Sequence, residues 1–251
     1  MASCWDDPDP AIVLGTADAS AVGAAVIRTV AGRSIGHVRL VVVADPHRRT
    51  GLGRAMVETL EDWLACRGAD EVQVGGEAPF YLWPGIDIRL TPALCLFEAV
   101  GYRERGSVCN LSCPSSFRSE VPAGVAVRRV LTADDAAQVT DVVERTWPWW
   151  SAEVARGIEH GACLAAWRGD DVLGLGCHSV SRGGWIGPLA TVPAAEGGGI
   201  GRAVLGRLCA DIAVAGYRRA EIAWVGPIGF YARAADAHVS RVFQSRSRRL
   251  R

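Results

Sequence analysis

The chain has 251 residues, of which 49% are hydrophobic and 22% charged, a balance typical of a globular protein of one or two domains. Its 27 basic and 27 acidic side chains cancel, so no overall field favours nucleic acid or an anionic membrane as a partner. All the basic residues are arginine, and the absence of lysine excludes a Walker-type phosphate site and Schiff-base chemistry.

The eight cysteines include no C-x-x-C pair, and several stand in apolar stretches, where a thiol packs as a small hydrophobic group. The acidic opening Met1–Pro10 lacks the apolar core of a secretory signal, so we expect reduced cysteines and a cytoplasmic protein. Cys109 and Cys113 have the wrong spacing for a zinc knuckle, and we expect no metal. No apolar run reaches the roughly 20 residues of a membrane span, so no membrane partner is expected.

In chain order, the N-terminal half opens with strand patterns, AIVLG, GAAVIRTV and HVRLVVVADP. A glycine turn and a helix follow in RRTGLGRAMVETLEDWLACRG, then a strand, DEVQVGG, and a second helix, TPALCLFEAVGY. The stretch LSCPSSFRSEVPAG is rich in Ser, Pro and Gly and predicts a linker. We therefore predict an N-terminal domain over 1–113, a linker over 114–124 and a C-terminal domain over 125–251.

The C-terminal half begins with a strand, VAVRRV, and a helix with Thr132 as its N-cap and acidic residues in its first turn. A second helix, SAEVARGIEHG, and the strands ACLAAWRG, VLGLGCHSVS and WIGPLATVP lead to a glycine run, EGGGIG. A helix, the strand RRAEIAWVG and a further helix pattern, IGFYARAADAH, complete this half.

An internal repeat organises the chain. Gly51 aligns with Gly199, a separation of 148 residues (199 − 51), and GLGRAMVETLEDWLACRG then matches GIGRAVLGRLCADIAVAG. The unit of strand, glycine turn, helix, strand and helix thus occurs twice. The N-terminal copy lacks the opening strand and two helices that precede the C-terminal copy, so it is predicted to be shortened at its start.

Glycines before a helix let the backbone turn tightly beside unpaired N–H groups, which is a common anion-binding arrangement. A Rossmann dinucleotide site is not indicated, because Met56 and Val204 replace the third glycine of its G-x-G-x-x-G motif. Glu71 and Glu221 also fall at the start of the next strand, where that motif requires an acid at the end.

The pattern of a strand, a proline and a G-x-G turn that opens a long helix resembles the acetyl-CoA motif of the GNAT acyltransferase superfamily. Pro46 precedes RRTGLG, and Pro193 precedes EGGGIG. The resemblance covers most of 11–113 and nearly all of 125–251. It implies an α/β (α+β) protein with two GNAT-like domains, each with a mixed, mainly antiparallel central sheet and helices on both faces.

The resemblance also implies that acetyl-CoA is the cosubstrate, with its pyrophosphate on the loop amides and its pantetheine arm between two splayed strands. It assigns acetyl-CoA binding in the C-terminal half to Leu189, Ala190, Thr191, Val192, Gly197, Gly198, Gly199, Ile200, Gly201 and Arg202. The corresponding set in the N-terminal half is Val41, Val43, Arg48, Arg49, Thr50, Gly51, Leu52, Gly53 and Arg54.

Two departures from the family pattern stand out. The first copy is one residue short between Pro46 and Arg48, and the second has Glu196 where a basic or amide residue is usual. A glutamate adds negative charge near a pyrophosphate. Arginines near each turn, such as Arg202, can compensate, or they can be ordinary solvated charges.

For catalysis, Tyr231 matches the tyrosine that acts as the family's acid, whereas Phe97 takes the matching place in the N-terminal half and cannot donate a proton. We therefore predict catalysis in the C-terminal domain. The candidate bases are His178 and Glu221, although a lone histidine is more often structural and many family members deprotonate the amine through water.

Aromatic residues supply the candidate acceptor pocket. They are Trp147, Trp149, Trp150 and Trp224, and the alternative for the WPWW cluster is packing against the other half. The predicted function is transfer of acetyl to a primary amine, of a small molecule rather than a protein. A catalytically degenerate acyl-CoA-binding scaffold and a protein-amine acetyltransferase stay open, and a homodimer is compatible with the sequence.

Overall fold

The structure is a computed structural model that describes residues 9–30, 32–76 and 78–250. Internal contacts divide these residues into an N-terminal unit, 9–108 with 241–250, and a C-terminal unit, 109–240. The strands are β1 (Ala11–Gly15), β2 (Ala21–Val30), β3 (Arg33–Val43), β4 (Glu71–Val74), β5 (Ile86–Asp87), β6 (Arg103–Pro114), β7 (Ala126–Arg129), β8 (Cys163–Arg168), β9 (Asp171–His178), β10 (Trp185–Thr191), β11 (Arg219–Ile222) and β12 (His238–Arg249). The helices are α1 (Leu52–Ala65), α2 (Thr91–Ala99), α3 (Ala133–Thr146), α4 (Ser151–Glu159), α5 (Ile200–Val214) and α6 (Ile228–Ala235).

The N-terminal unit is a sheet in the order β1-β2-β3-β4-β12, in which only β3 and β4 run parallel. Helices α1 and α2 pack against the same core, where Leu60, Val72 and Phe97 are buried together. Glycines let α1 approach the sheet closely, since a Cβ on Gly23 would lie 2.6 Å from the sulfur of Met56. Both described helices of this unit therefore lie against one core, and the helix pair that precedes the second copy has no counterpart among the described residues here.

The C-terminal unit is a sheet in the order β6-β11-β10-β9-β8-β7, again antiparallel except for one parallel pair, β10 with β11. Helices α5 and α6 bury one core against one face, including Leu208 and Tyr231. Helices α3 and α4 bury a second core, including Val143 and Val154. The mixed, mainly antiparallel sheet with helices on both faces is thus confirmed here, and Thr132 caps α3 by accepting a hydrogen bond from the Asp135 amide.

The domain boundaries differ from the predicted ones because each unit takes a strand from the other half of the sequence. The end of β6 pairs with β11, with Leu111 opposite Ile222, so residues 109–124 belong to the C-terminal unit. The predicted linker packs on α5, where a Cβ on Gly206 would lie 2.8 Å from the Ser119 amide. The end of β12 pairs with β4, which places residues 241–250 in the N-terminal unit. A repeat in the sequence cannot show such pairings.

No helix among the described residues combines the length and the apolar character needed to cross a bilayer.

A carboxylate on α4 is buried in the second core of the C-terminal unit. Glu153 is 8% exposed, and burial raises its pKa to about 7. Its folded-state pKa lies above the ordinary 4.5, so the native protein holds this proton more tightly than the unfolded chain does. The stability that this proton confers is present below pH 4.5 and is lost as the pH rises through about 7.

We predict that Glu153→Gln removes this pH dependence. In the wild type, the Glu153 contribution to the free energy of unfolding should fall by up to about 3 kcal/mol as the carboxyl ionises. Denaturant unfolding of the wild type and the variant at pH 5 and pH 8 measures it. Glu159→Gln, an exposed site on the same helix, is the matched control. Equal pH dependence in all three proteins would contradict the assignment.

Candidate functional site

The parallel strands of the C-terminal unit part at a fork. Trp185 and Ile186 of β10 pair with Glu221 and Ile222 of β11, and the Ala223 amide makes a last bond to the Ile186 carbonyl at 3.0 Å. Beyond this point β10 leaves β11 and follows β9 to Thr191, after a register shift between Ile186 and Leu189. A gap between parallel strands leaves backbone groups along β10 available for a ligand.

The N-terminal unit contains the same fork 148 residues earlier in the chain. Strand β3 pairs with β4 as far as Val38 and Val74, and the Gly75 amide bonds to the Val38 carbonyl at 3.0 Å. Strand β3 then continues along β2 to Val43. The predicted cofactor residues Val41 and Val43 lie on this free stretch.

The glycine turns also share one backbone conformation. In the C-terminal unit a 3₁₀ turn, Pro193–Ala195, leads to Gly197 at φ +76° and Gly199 at φ +79°, and α5 starts without a side-chain cap. In the N-terminal unit the turn Asp45–His47 leads to Arg49 at φ +66° and Gly51 at φ +90°. The turns align without a gap, so the expected one-residue deletion is wrong. The proline simply occupies the first place in one turn and the second in the other.

Charges differ between the two turns. Arg48 stands where the C-terminal unit has Glu196, and its guanidinium folds back on the preceding turn, 2.7 Å from Asp45 and 3.1 Å from the Val43 carbonyl. Thr50 likewise donates to the His47 carbonyl. The side chain of Arg54 reaches Glu58 and the Ala99 carbonyl, so the local partners of these arginines are protein groups.

A cavity of 620 Å³ opens at the fork of the C-terminal unit. Ten predicted site residues line it: Trp147, Leu189, Ala190, Thr191, Gly197, Gly199, Ile200, Gly201, Arg202 and Tyr231. Val192 and Gly198, also predicted to bind the cofactor, are not among its lining residues. The cavity therefore joins the turn, the free stretch of β10 and α6 in one space.

Part of the cavity wall, contributed by α6 and the glycine turn, was not predicted from the sequence. Phe230, Tyr231 and Ala234 lie on one face of α6, and Pro227, just before the helix, continues their spacing. Helical periodicity counted from Tyr231 predicts the other three residues. Arg233 and Glu196 also line the cavity, together with Ala195. Arg233 and Arg202 thus bring two guanidinium groups to the same space as the Glu196 carboxylate.

Tyr231 lies in α6 with 5% of its surface exposed, against the ring of Phe230 at 4.9 Å between centroids. Burial raises the pKa of its phenol, and the Cys113 thiol adds to the effect. The hydroxyl is therefore protonated across the neutral range. A buried, protonated phenol on the cavity wall is suited to donating a proton.

His178 does not line the cavity. It ends β9, where its Nε2 lies 3.5 Å from Asp211 and its Nδ1 lies 3.1 Å from the Ser179 hydroxyl. Asp211 is also paired with Arg129 at 2.6 Å. Burial lowers the pKa of His178, which leaves the ring neutral at pH 7. The structure thus places the predicted base in a polar network outside the cavity.

Glu221 also lies outside the cavity lining. Its neighbours Ala220 and Ile222 enter the core beneath α5 and α6, so strand alternation directs Glu221 to the opposite face of β11. Its carboxylate accepts a hydrogen bond from the amide of the buried Asn110 at 2.7 Å. Glu221 is one residue before the last paired position of the fork, on the face away from the glycine turn.

The predicted aromatic residues separate. Trp147 lines the cavity, while Trp149 is 68% exposed and Trp150 packs against the core of α3 and α4. The three rings nevertheless pack side by side. The ring centroids of Trp147 and Trp150 lie 5.8 Å apart, and those of Trp150 and Trp149 lie 6.1 Å apart. Trp224 is 45% exposed beyond the end of β11 and is not a lining residue.

The residues of the cavity fit a phosphate-bearing ligand. The first amides of α5 have no side-chain acceptor, and a Cβ on Gly197 would meet no atom within 4 Å, which shows that this turn opens to the cavity. Amides at a helix N-terminus favour an anion, and Arg202 and Arg233 add positive charge. In the described part of the chain, no cluster of three or more His, Cys, Asp or Glu side chains could hold a metal ion.

Comparisons with known proteins identify the fold. Residues 2–79 match the family model of the acetyltransferase (GNAT) family. A search of curated proteins gives no match. Among solved structures, the glucosamine N-acetyltransferase region of a fungal multi-domain GH3 β-N-acetylglucosaminidase aligns with 95% of this chain at 17% identity and a TM-score of 0.77. The chain spans only 33% of that protein.

Two further structures cover most of both chains. A GCN5-related N-acetyltransferase from Sphaerobacter thermophilus aligns with 97% of this chain and 81% of its own, at 21% identity and a TM-score of 0.69. A tandem GNAT protein from the clavulanic acid biosynthesis pathway aligns with 90% and 78%, at 14% identity and a TM-score of 0.68. The fold is the GNAT fold. The forks and glycine turns of both units are the parts of the GNAT fold that the sequence predicted.

We predict that Gly199→Glu blocks acetyl-CoA at the C-terminal unit. Gly199 has φ +79°, and a carboxylate at this N-cap would compete for the helix amides and repel a pyrophosphate. Calorimetry of acetyl-CoA should show the binding event lost, with Gly51→Glu as the matched variant of the N-terminal turn. Undiminished stoichiometry in Gly199→Glu would contradict the site.

Proposed function

We propose that the protein is an acetyl-CoA-dependent N-acetyltransferase that acts on a primary amine of a small molecule, with catalysis in the C-terminal unit. One observation carries the proposal. A single cavity joins the open amides of the glycine turn, the free stretch of β10 and the buried phenol of Tyr231. Such a reaction requires the enzyme to bind a diphosphate, to hold an extended pantetheine arm and to donate a proton.

The fit of the cavity indicates which residues would hold acetyl-CoA. The turn Gly197–Gly201 and the N-terminus of α5 would take the pyrophosphate, with Arg202 and Arg233 beside it. The free backbone of β10 from Leu189 to Thr191 would take the pantetheine arm. When bound, acetyl-CoA supplies a thioester, an activated acetyl group.

Tyr231 is assigned as the general acid. Its burial keeps the proton on the phenol at neutral pH, so the hydroxyl can donate it to the departing sulfur. In the N-terminal unit Phe97 holds the matching place in α2, and its ring contacts Tyr102 at 5.1 Å. We therefore assign catalysis to the C-terminal unit alone and a binding or supporting role to the N-terminal one.

Glu221 is the better of the two predicted bases. It lies beside the last paired position of the fork, and Asn110 fixes its carboxylate. From the face away from the glycine turn, it could take a proton from an incoming ammonium group, directly or through water. His178 is tied to Asp211 and Ser179, and we assign it a structural role.

Trp147 gives the cavity an aromatic wall that suits a small organic amine, whereas Trp149, at 68% exposure, is open to a larger partner. We place the reaction in the cytoplasm, in keeping with the free cysteines of the described chain.

A second function, an acyl-CoA-binding scaffold, is favoured by Glu196. Its carboxylate lines the cavity where a basic or amide residue is usual in the family, and it opposes a diphosphate. Turnover separates the two functions, since a scaffold binds acetyl-CoA without transferring the acetyl group. A screen of small amines and peptides then separates a small-molecule enzyme from a protein acetyltransferase.

We predict that Tyr231→Phe lowers kcat by about 10² to 10⁴, the usual contribution of a general acid. Acetyl-CoA affinity should change little, because the variant keeps the ring and loses only the hydroxyl. Steady-state kinetics and calorimetry measure the two effects. Tyr217→Phe, at a tyrosine that is 39% exposed, is the matched control. Unchanged turnover in Tyr231→Phe would remove Tyr231 from the mechanism.

A further inference from the structure

Strand β11 is interrupted just where the fork opens. With Ile222 opposite Leu111, an unbroken ladder would place Trp224 opposite Cys109. The amide of Val225 bonds to the Cys109 carbonyl instead, at 2.9 Å. One extra residue is therefore inserted just beyond the end of β11, as in a β-bulge, where two residues of one strand oppose one residue of its partner. Bulges bend a strand away from its neighbours, and this one follows the last bond between β10 and β11.

The amide left over at the bulge is bound by a buried side chain. Trp224 N–H donates to Oδ1 of Asn110 at 3.0 Å, and Nδ2 of the same side chain donates to Glu221 at 2.7 Å. Asn110 is fully buried, and its own carbonyl accepts from the Ser240 hydroxyl at 3.2 Å. One buried amide thus links the bulge to the candidate base.

The backbone at Trp224 is strained. Its φ of +51° lies in the left-handed region, which a bulky side chain rarely enters. The N-terminal unit has Gly75 and Gly76 where the C-terminal unit has Ala223 and Trp224, and there the first residue of the pair, Gly75, takes the positive φ, +93°, at which glycine is unstrained. There the Gly76 amide bonds to a backbone carbonyl, that of Trp83, at 2.8 Å. The C-terminal unit thus has an alanine and a tryptophan in place of the glycine pair, and the second amide of the pair is bound by a side chain, Asn110, rather than by the backbone.

From this geometry we infer that Asn110 is a positioning residue of the acceptor side of the fork. It holds Trp224 in the bulge and fixes the Glu221 carboxylate, and it thereby prepares a site for a cationic primary amine. This inference rests on the proposed function, which supplies the identity of the reaction. Asn110 belongs to the strand that the first half of the sequence supplies to the C-terminal unit, so the first repeat completes the site of the second.

The chemistry of the two residues that Asn110 holds selects the acceptor class. A carboxylate pairs with an ammonium group, and the face of an indole attracts a cation. Trp224 is 45% exposed, so its ring is accessible to a ligand. A small amine that is cationic at neutral pH meets both features, whereas an arylamine, which is neutral there, has no charge for either to bind.

Hydrogen exchange tests the clamp without turnover. In Asn110→Ala the Trp224 amide loses its acceptor, and exchange of residues 223–226 should accelerate by about tenfold, the effect of losing one buried hydrogen bond. Ser112→Ala is the matched control, because it removes the hydroxyl that accepts from Arg219 on the same strand and leaves Trp224 untouched. Equal exchange in the two variants would overturn the inference.

Kinetics test the consequence. Asn110→Ala should lower kcat/KM for a cationic amine by about tenfold or more relative to Ser112→Ala, with the calorimetric Kd of acetyl-CoA unchanged. In a Trp224→Gly background, where a glycine takes the left-handed backbone unaided, the further effect of Asn110→Ala should shrink. Loss of acetyl-CoA affinity in parallel with the amine effect would reduce Asn110 to a stabilising residue and overturn its positioning role.

Asn110→Asp keeps the test sharp if the alanine variant does not fold. Aspartate still accepts from the Trp224 N–H, and it can donate to Glu221 only while it carries a proton, so slow exchange should persist while the amine KM rises more steeply with pH than in the wild type. A pH profile of the amine KM identical to that of the wild type would contradict the role of the Glu221 contact. If the wild type binds acetyl-CoA but acetylates no amine, the proposed function fails, and the exchange experiment alone decides whether Asn110 holds the bulge.

Discussion

The candidate site depends on two parallel strands that stop bonding to each other partway along their length. Once β10 and β11 part after Ile186 and Ile222, the backbone of β10 is free on one side, and the glycine turn at its end aims the first amides of α5 into the same space. Because parallel strands need a crossover connection, the helix N-terminus and the open strand edge are necessarily neighbours. The cavity depends on that parting, and with it the access of a ligand to the first amides of α5 and to Tyr231 on the cavity wall.

The two units share one backbone arrangement at the fork and the glycine turn but differ in the side chains around it. The forks and turns coincide, with left-handed residues at Arg49 and Gly51 in one unit and at Gly197 and Gly199 in the other. The side chains differ where chemistry would occur. A Cβ on Gly53 would meet Leu96 at 3.3 Å, and one on Gly201 would meet Phe230 at the same distance, so Phe97 and Tyr231 are true counterparts. Both units have the fold, and the C-terminal one has a tyrosine where the N-terminal one has a phenylalanine.

The sequence predicts what is local and periodic. The glycine turns, the cap at Thr132 and the position of Tyr231 each depend on residues that are close together in the sequence. The repeat is found by matching two such local patterns. The contacts that it could not predict join distant residues, such as Asn110 with Glu221, or β12 with β4. The position of His178 outside the cavity could not be predicted for the same reason, since its neighbour Asp211 comes from a distant part of the chain. Arg233 could have been predicted, because it lies three residues after Phe230 on the same helix and so shares its face.

The most direct test of the account is a crystal structure of the protein with a non-hydrolysable acetyl-CoA analogue. We expect the pyrophosphate on the amides of Gly197–Arg202, the pantetheine arm along Leu189–Thr191 and the sulfur position beside the Tyr231 hydroxyl. An analogue bound only at the N-terminal turn around Gly51, or one that leaves the fork of β10 and β11 unfilled, would contradict the assignment of acetyl transfer to the C-terminal unit.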